Sequence, residues 1–395
     1  MNKWETDKLS NLCSKIGDGL HGTPEYVEDS GIYFINGNNL KNGWIEITKN
    51  TKSVSNKELQ NNFIPLNTNS LLLSINGTLG SMAFYRNEKV MLGKSSAYLN
   101  FKSEINKFYY YYFQLPFVQE YFFNVATGST IKNLSLKSIQ DFEVPVPEFN
   151  EWNGIASVLS ALDSKIELNN RINAELEAMS KTLYDYWFVQ FDFPNAKGKP
   201  YKTSGGKMVW NEELKREIPE GWEVKKIENF CRIFTGKKDV NQALDAGKYK
   251  FFSCSPNHKF SNDKLYEGKA ILISGNGSYT GRTIFVDEGF DLYQRTYACV
   301  NITETDILPY LYFSILRFLS LKIGGGTHGS AIPYIVYDDI AKDTFAYNFE
   351  VVSKFQEIIN PILSNIKSTD NQTIKLTELR DWLLPMLMNG QVKVN

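Results

Sequence analysis

The feature that most constrains this chain is that it is written twice. Trp4-Glu5-Thr6-Asp7-Lys8-Leu9-Ser10-Asn11-Leu12-Cys13 returns as Trp222-Glu223-Val224-Lys225-Lys226-Ile227-Glu228-Asn229-Phe230-Cys231, with Trp, Glu, Lys, Asn and Cys in place. Ser74-Ile75-Asn76-Gly77-Thr78 returns as Ser274-Gly275-Asn276-Gly277-Ser278, and Gly128-Ser129-Thr130-Ile131 as Gly329-Ser330-Ala331-Ile332. A last match sets Val158–Leu162 against Ile362–Ile366. The offset drifts from 218 through 200 to 204 residues, as it does when loops change length and elements persist. Two copies of a half-chain unit predict a pseudo-twofold molecule that reads two related things.

Each copy reads as a mixed globular part followed by one long helix. β-type runs (Gly31–Ile35, Leu71–Ile75, Lys269–Ile273) alternate with Gly and Asn punctuation. A helical piece is expected at Phe108–Tyr121 and again at Pro309–Lys322, with Tyr112-Phe113 matching Tyr312-Phe313. The run Tyr109–Tyr112 could stack bases, but aromatics on such a helix read first as core. Val144-Pro145-Val146-Pro147 cannot be helical, so the first long helix is expected from about Glu151.

The long helices carry a 3-4 apolar alternation. The first places Ile155, Val158, Leu162, Lys165, Asn169, Ile172, Leu176, Met179 and Leu183 on one seam. The second, at a constant offset of 204, places Ile359, Ile362, Ile366, Thr369, Thr373, Leu376, Arg380, Leu383 and Leu387. Such a repeat makes a coiled-coil seam, and polar residues at the same two steps of both favour one antiparallel pair over two separately packed helices. The expected fold class is α+β: two repeated mixed domains joined by two long antiparallel helices. The expected boundaries are 1–150 and 191–350 for the globular parts (the latter opening with a Gly/Lys linker, Asn195–Lys207), with helices at 151–190 and 351–395.

Composition excludes more than it selects. Four cysteines without a C-x-x-C spacing, and only His21, His258 and His328, argue against a disulfide framework or a metal cluster. No apolar signal core or membrane-length run is present, so a cytoplasmic protein without membrane contact is expected. Residues 1–150 carry 14 basic and 14 acidic side chains, and residues 191–350 carry 21 and 20. A near-neutral chain must bind DNA through local clusters or through a partner's positive surface.

No reaction template is complete: there is no phosphate-binding loop ending in Lys-Ser/Thr, no H-E-x-x-H and no G-x-S-x-G. Gly324–Ser330 looks like a phosphate cradle but lacks that closing Lys-Ser/Thr. What remains are paired glycine loops, whose freed amides and hydroxyls suit phosphate and whose simpler reading is a tight turn. The candidate DNA contacts are Lys15, Arg86, Lys94, Ser129, Thr130 and Lys132 in the first copy. In the second they are Lys237, Lys238, Arg282, Arg295, His328 and Ser330.

Taken together, W-E-x-x-K-[LI], the helix opening Ile155-Ala156-Ser157-Val158-Leu159-Ser160-Ala161-Leu162-Asp163-Ser164-Lys165-Ile166, and Ile218-Pro219-Glu220-Gly221-Trp222 resemble one family over essentially the whole chain. That family is the DNA specificity subunit of type I restriction–modification systems. The resemblance implies two target recognition domains, each reading half of a split site in double-stranded DNA. It also implies helices that separate them and dock two methyltransferase subunits, with restriction/translocase subunits beyond. Catalysis is then expected on those partners, which would hold S-adenosylmethionine, ATP and Mg, with no cofactor in this chain. The chain departs from the family at Asn150-Glu151-Trp152, where a Glu-Gln pair is common, and at Ile131 and Ile332, where the loops commonly carry Gln. A stand-alone DNA-binding or architectural protein is one alternative reading, and a nuclease working through the loops near Ser129 and His328 is another.

Overall fold

The computed structural model describes residues 4–324 and 333–394. The chain divides into two compact units, one running to Asn169 and resuming at Gln372, the other Asn170–Asn371. Each unit therefore holds one globular part and a stretch of both long helices.

In the first unit a sheet runs in the order Cys13–Asp18, Ser96–Phe101, Ser70–Ser74, Met82–Phe84, all antiparallel. Its two central strands, Ser70–Ser74 and Ser96–Phe101, are buried at every residue. The two-residue period of a strand sorts their side chains between two cores. Leu71, Leu73, Ala97 and Leu99 face the core shared with the helices, while Leu72 and Tyr98 join Ile35, Leu40, Ala83 and Leu92 on the other side. The second unit repeats the division: Ile271, Ile273 and Cys299 face the helices, and Ala270, Leu272, Ala298 and Val300 the opposite core. At about 25 cal/mol per Å² of apolar surface, such double-sided burial supplies most of the drive for folding.

One difference separates the sheets. Thr283–Leu292 is a single strand pairing antiparallel with Tyr266–Ser274 and parallel with Tyr249–Phe252. In the first unit its counterpart is broken into Met82–Phe84 and Val90–Leu92, and the latter pairs parallel with Tyr33–Ile35 in a separate sheet.

The four tyrosines Tyr109–Tyr112 are core, none more than 8% exposed. The helix expected there as one piece is two, Asn106–Tyr112 and Pro116–Val125. Pro116 opens the second and holds Leu115 extended, whereas Leu308–Gly324 runs unbroken in the second copy. The Tyr109 hydroxyl donates to the Pro145 carbonyl at 2.8 Å and the Tyr310 hydroxyl to the Ala346 carbonyl at 2.9 Å. These equivalent bonds match Tyr109 with Tyr310, one residue away from the pairing of Tyr112 with Tyr312 expected from the sequence.

The long helices are Phe149–Tyr184 and Phe349–Met388. They pair antiparallel within each unit. In the first, Ile155 and Leu159 share a core with Leu387 and Met388, Arg380 bonds Asp163 at 2.9 Å, and the Asn169 amide lies 3.3 Å from the Thr373 hydroxyl. In the second, the Asn173 amide donates to Asp370 at 2.6 Å, and Tyr184 and Trp187 pack on Phe355. In the terminal helix Ile359 and Leu387 are buried, and Ile362, Ile366, Thr373, Leu376 and Leu383 are half-buried, so its inward face follows the expected alternation.

The first helix departs from it. Ile155, Leu162, Asn169, Leu176 and Leu183 face inward, but the intervening steps fall one residue late, at Leu159, Ile166, Asn173 and Ser180. Ile172 and Met179, expected on the seam, are 37% and 61% exposed, while Asn173 and Ser180 are 7% and 0%. Val158 is half-buried and Lys165 exposed. The physical reason is specific bonding. Asn173 finds Asp370, and the Ser180 hydroxyl folds back onto the Leu176 carbonyl at 2.8 Å. An apolar pattern alone cannot anticipate this.

The stretch expected as a linker is built into the second unit. Phe191 and Phe193 are buried in its core, Tyr201 stacks on Phe193 at 4.8 Å, and Asp192 accepts from the Thr203 amide and hydroxyl. A hairpin, Met208–Asn211 with Arg216–Pro219, completes it.

Candidate nucleic-acid interface

At one end of each sheet the same set of loops meets. In the first unit Leu20 exchanges backbone bonds with Leu92 and Lys94 (2.8 and 3.0 Å), and the Ser95 carbonyl accepts from the Ile75 amide at 3.0 Å. The Ser95 hydroxyl donates to Asn36 Oδ1 and accepts from the Gly37 amide, both at 2.9 Å. Leu134 N donates to the Ile75 carbonyl at 2.9 Å, which brings in the Thr127–Asn133 hairpin, closed by Thr127 and Asn133 bonding each other in both directions. Ser74 and Thr78 hydroxyls lie 3.0 Å apart.

The second unit makes the same joints from different residues. Gln294 N bonds the Lys238 carbonyl at 3.0 Å, Gly275 N the Arg295 carbonyl at 2.9 Å, and Ile335 N the Gly275 carbonyl at 2.8 Å. Cys254 stands near the position of Asn36, its thiol 3.2 Å from Asn276 Oδ1. Asn76-Gly77 and Asn276-Gly277 turn at matching places, and Gly77 (φ 76°) and Gly277 (φ 85°) occupy left-handed backbone that a side chain would strain. The result, twice, is a surface of amides, hydroxyls and carboxamides fixed by backbone bonds, the chemistry that contacts phosphates and base edges.

The structure sorts the candidate side chains. Lys94, Ser129 and Thr130 are exposed at the first loop end, and Lys132 is half-buried there. Lys132 leans back on its own loop, 4.9 Å from the Phe123 ring centre and 3.4 Å from the Ala126 carbonyl. Lys237 and Arg295 are exposed at the second loop end, and Arg282 lies beside the Ser255 and Pro256 carbonyls.

Three candidates do not join them. Lys15 sits opposite Asn100, away from the loops. Arg86 stacks on Trp44 at 3.5 Å and donates to the Gly43 carbonyl at 2.7 Å, so its guanidinium is engaged in holding that turn. Lys238 is tied to Asp291 and Asp263. His328 and Ser330, with the Gly325–Ile332 stretch, lie outside the described residues.

Residues that the sequence reading passed over complete the surface: Asn36, Asn76 and Ser95 in one copy, Cys254, Asn276 and Gln294 in the other. The repeated Asn-Gly was the available signal. Ser95 and Gln294 gave none, because their roles come from strands far apart in the chain.

Among the described residues no three His, Cys, Asp or Glu side chains are grouped to hold a metal, and no helix is long and apolar enough to cross a membrane. All four cysteines are free thiols.

The chain is similar over 421 residues to the type I restriction enzyme MjaIX specificity subunit of Methanocaldococcus jannaschii, at 25% identity, covering 99% of this chain and 94% of that protein. It is 29% identical over 187 residues to the EcoDI specificity subunit of Escherichia coli, covering 45% of this chain and 40% of that one. In fold it resembles the crystal structure of the type I restriction–modification system S subunit from M. genitalium, with a TM-score of 0.65, 17% identity, and 98% and 97% of the two chains covered. The family model described as Type I restriction modification DNA specificity domain matches residues 1–178 and 219–379. With both copies matched, the chain belongs to the type I restriction–modification DNA specificity family.

Proposed function

We propose that each loop end reads one half of a bipartite DNA target, and that the paired helices dock two methyltransferase subunits, through which restriction subunits are engaged. Membership of the family makes the chain a specificity subunit, the DNA-recognising and non-catalytic part of its complex, which works in assembly with other restriction–modification subunits. The observation that carries the bipartite reading is the repeated loop end: one backbone scaffold lined by different side chains, as two readers of different half-sites require. Near-neutral charge fits a reader that takes part of its phosphate contact from bound subunits. Exposed Leu379 and Trp382 on the terminal helix and Leu168, Ile172 and Met179 on the central one offer apolar surface for those subunits.

The test is an exchange of residues 1–150 for those of a relative with known specificity, followed by mapping of methylated sites in a host supplying the partner subunits. One half-site should change and the other persist. A change in both halves together would remove the modular reading. The purified chain should transfer no methyl group until a methyltransferase subunit and S-adenosylmethionine are added.

A further inference from the structure

The two loop ends are secured by opposite chemistry at one equivalent place. Leu20 and Lys238 correspond, since each carbonyl accepts the amide of the matching residue on the neighbouring loop, Lys94 or Gln294. A glycine stands one residue before Leu20 and two before Lys238, and a Cβ there would lie 2.1 Å (Gly19) or 1.7 Å (Gly236) from the Leu92 or Leu292 carbonyl oxygen, so both loops approach the sheet too closely for a side chain. Beneath Leu20 is hydrocarbon: Ile32, Phe34, Val54 and Met91, all buried. By strand register Met91 corresponds to Asp291, since each is the middle residue of the parallel pairing. Val54, bonded to the Ile32 carbonyl, corresponds to Ser261, paired with Tyr249. Leu, Val and Met in one copy have thus become Lys, Ser and Asp in the other.

The polar trio is fully connected. Asp291 is 4% exposed and Ser261 3%. Asp291 Oδ2 accepts from the Ser261 hydroxyl and meets Lys238 Nζ, both at 2.7 Å, and Oδ1 accepts from the Leu292 amide at 2.8 Å. Lys238 Nζ also donates to the Ser261 hydroxyl at 2.9 Å. Beyond Lys238, Asp239 caps the short turn Val240–Gln242 and accepts from the Gln294 side chain at 3.0 Å, next to Arg295. The loop bearing exposed Lys237 is therefore held from below by the trio and from the side by Gln294.

We infer that Lys238, Ser261 and Asp291 form an ionic clamp that positions the 236–244 loop, with Lys237, for reading the second half-site, and that Lys238 does this without touching DNA. The inference rests on the loop ends being the reading surfaces. Removing one member of a buried pair strands the other, whereas replacing all of them with hydrocarbon of similar volume can be neutral. Lys238→Leu and the triple variant Lys238→Leu/Ser261→Val/Asp291→Met, which restores the first copy's packing, should therefore behave oppositely.

The assay is methylation of duplexes altered at single bases in either half, by the full chain with its methyltransferase partners, after the host's methylated sites are mapped. Lys238→Leu should lose about tenfold in discrimination at the second half-site and nothing at the first, with faster hydrogen exchange at amides 237–244. The triple variant should regain both. Should Lys238→Leu not fold, Ser261→Ala is the milder probe and should shift the same amides. Full discrimination in Lys238→Leu or Ser261→Ala overturns the clamp. So does a well-folded triple variant as unselective as Lys238→Leu, because the charge itself would then be meeting DNA. If Lys237→Ala/Arg295→Ala leaves second-half recognition intact, the reading surface is wrong instead, a separable failure.

Discussion

Cys254 lies on the candidate reading surface, and the other three cysteines lie in cores. Burial pushes the Cys13 and Cys231 thiols up to about 12 and Cys299 well above its usual value, so little thiolate forms in them near neutral pH. Cys254 is half-exposed. A neutral-pH alkylation followed by mass spectrometry should label Cys254 first, and target DNA bound to the assembled complex should slow that labelling. Equal labelling of all four thiols would contradict the cores described above. A second residue-scale case is Asp163, whose two oxygens hold Tyr111 at 2.7 Å and Arg380 at 2.9 Å. Asp163→Ala leaves a buried tyrosine hydroxyl unpaired and should cost about 2 kcal/mol, whereas Tyr111→Phe should cost about 1 kcal/mol. Urea unfolding of the two variants measures the difference. The helix opening Ile155–Ile166, which carries the family resemblance, shows Asp163 in a Leu-Asp step, yet its partners Tyr111 and Arg380 stand 52 and 217 positions away, beyond any local pattern.

At the scale of elements the central helix is the instructive case. Its heptad steps Ile155, Leu162, Asn169, Leu176 and Leu183 are readable because they recur every seven residues and mostly carry apolar side chains. The alternate series was misplaced by one residue, because Ile172 and Met179 are apolar and Asn173 and Ser180 are not. Hydrophobicity is a fair guide only until the Asn173 bond to Asp370 and the Ser180 bond to the Leu176 carbonyl outweigh it. Met179→Lys should therefore change the chain's own stability by less than about 0.5 kcal/mol. Ser180→Leu, which forces a branched side chain into a filled site, should cost about 1–3 kcal/mol. Thermal unfolding of the chain without partners ranks them, and the reverse order would restore the simple heptad seam. Breaks in elements follow the same logic. Pro116 was visible in the sequence, and the helix stops there with Leu115 extended and buried, a break that the apolar run Phe108–Tyr121 alone does not show.

For the whole molecule the testable idea is that the paired helices act as a ruler. Asp163 with Arg380 and Asn173 with Asp370 pair the helices antiparallel, so a heptad added to one alone would bulge out. Matched heptads, one between Asn169 and Asn173 and one between Asp370 and Thr373, should keep the seam. They should lengthen the pair by about 10 Å, at most about three base pairs of added spacer at 3.4 Å each. Half-sites should stay as they were. Mapped methylation sites decide the matter: an unchanged spacer in a folded, active variant would show that the helices do not set it.

Duplication, the α+β class, two long helices and the family itself follow from the linear order of residues, because repeats, periodicity and motif order are local or additive properties of a sequence. The buried tyrosine run and the absence of a complete reaction template were legible for the same reason. The placement of side chains on the reading surface was not. Lys15, Arg86 and Lys238 looked like Lys94 and Arg295 in the sequence, all of them basic residues near strand ends. Only the tertiary structure put Arg86 over Trp44 and Lys238 against Asp291 while leaving Lys94 and Arg295 in solvent. A cation's role is decided by which charges and carbonyls lie within a few ångströms of it, and those neighbours are supplied by strands that chain order keeps far apart.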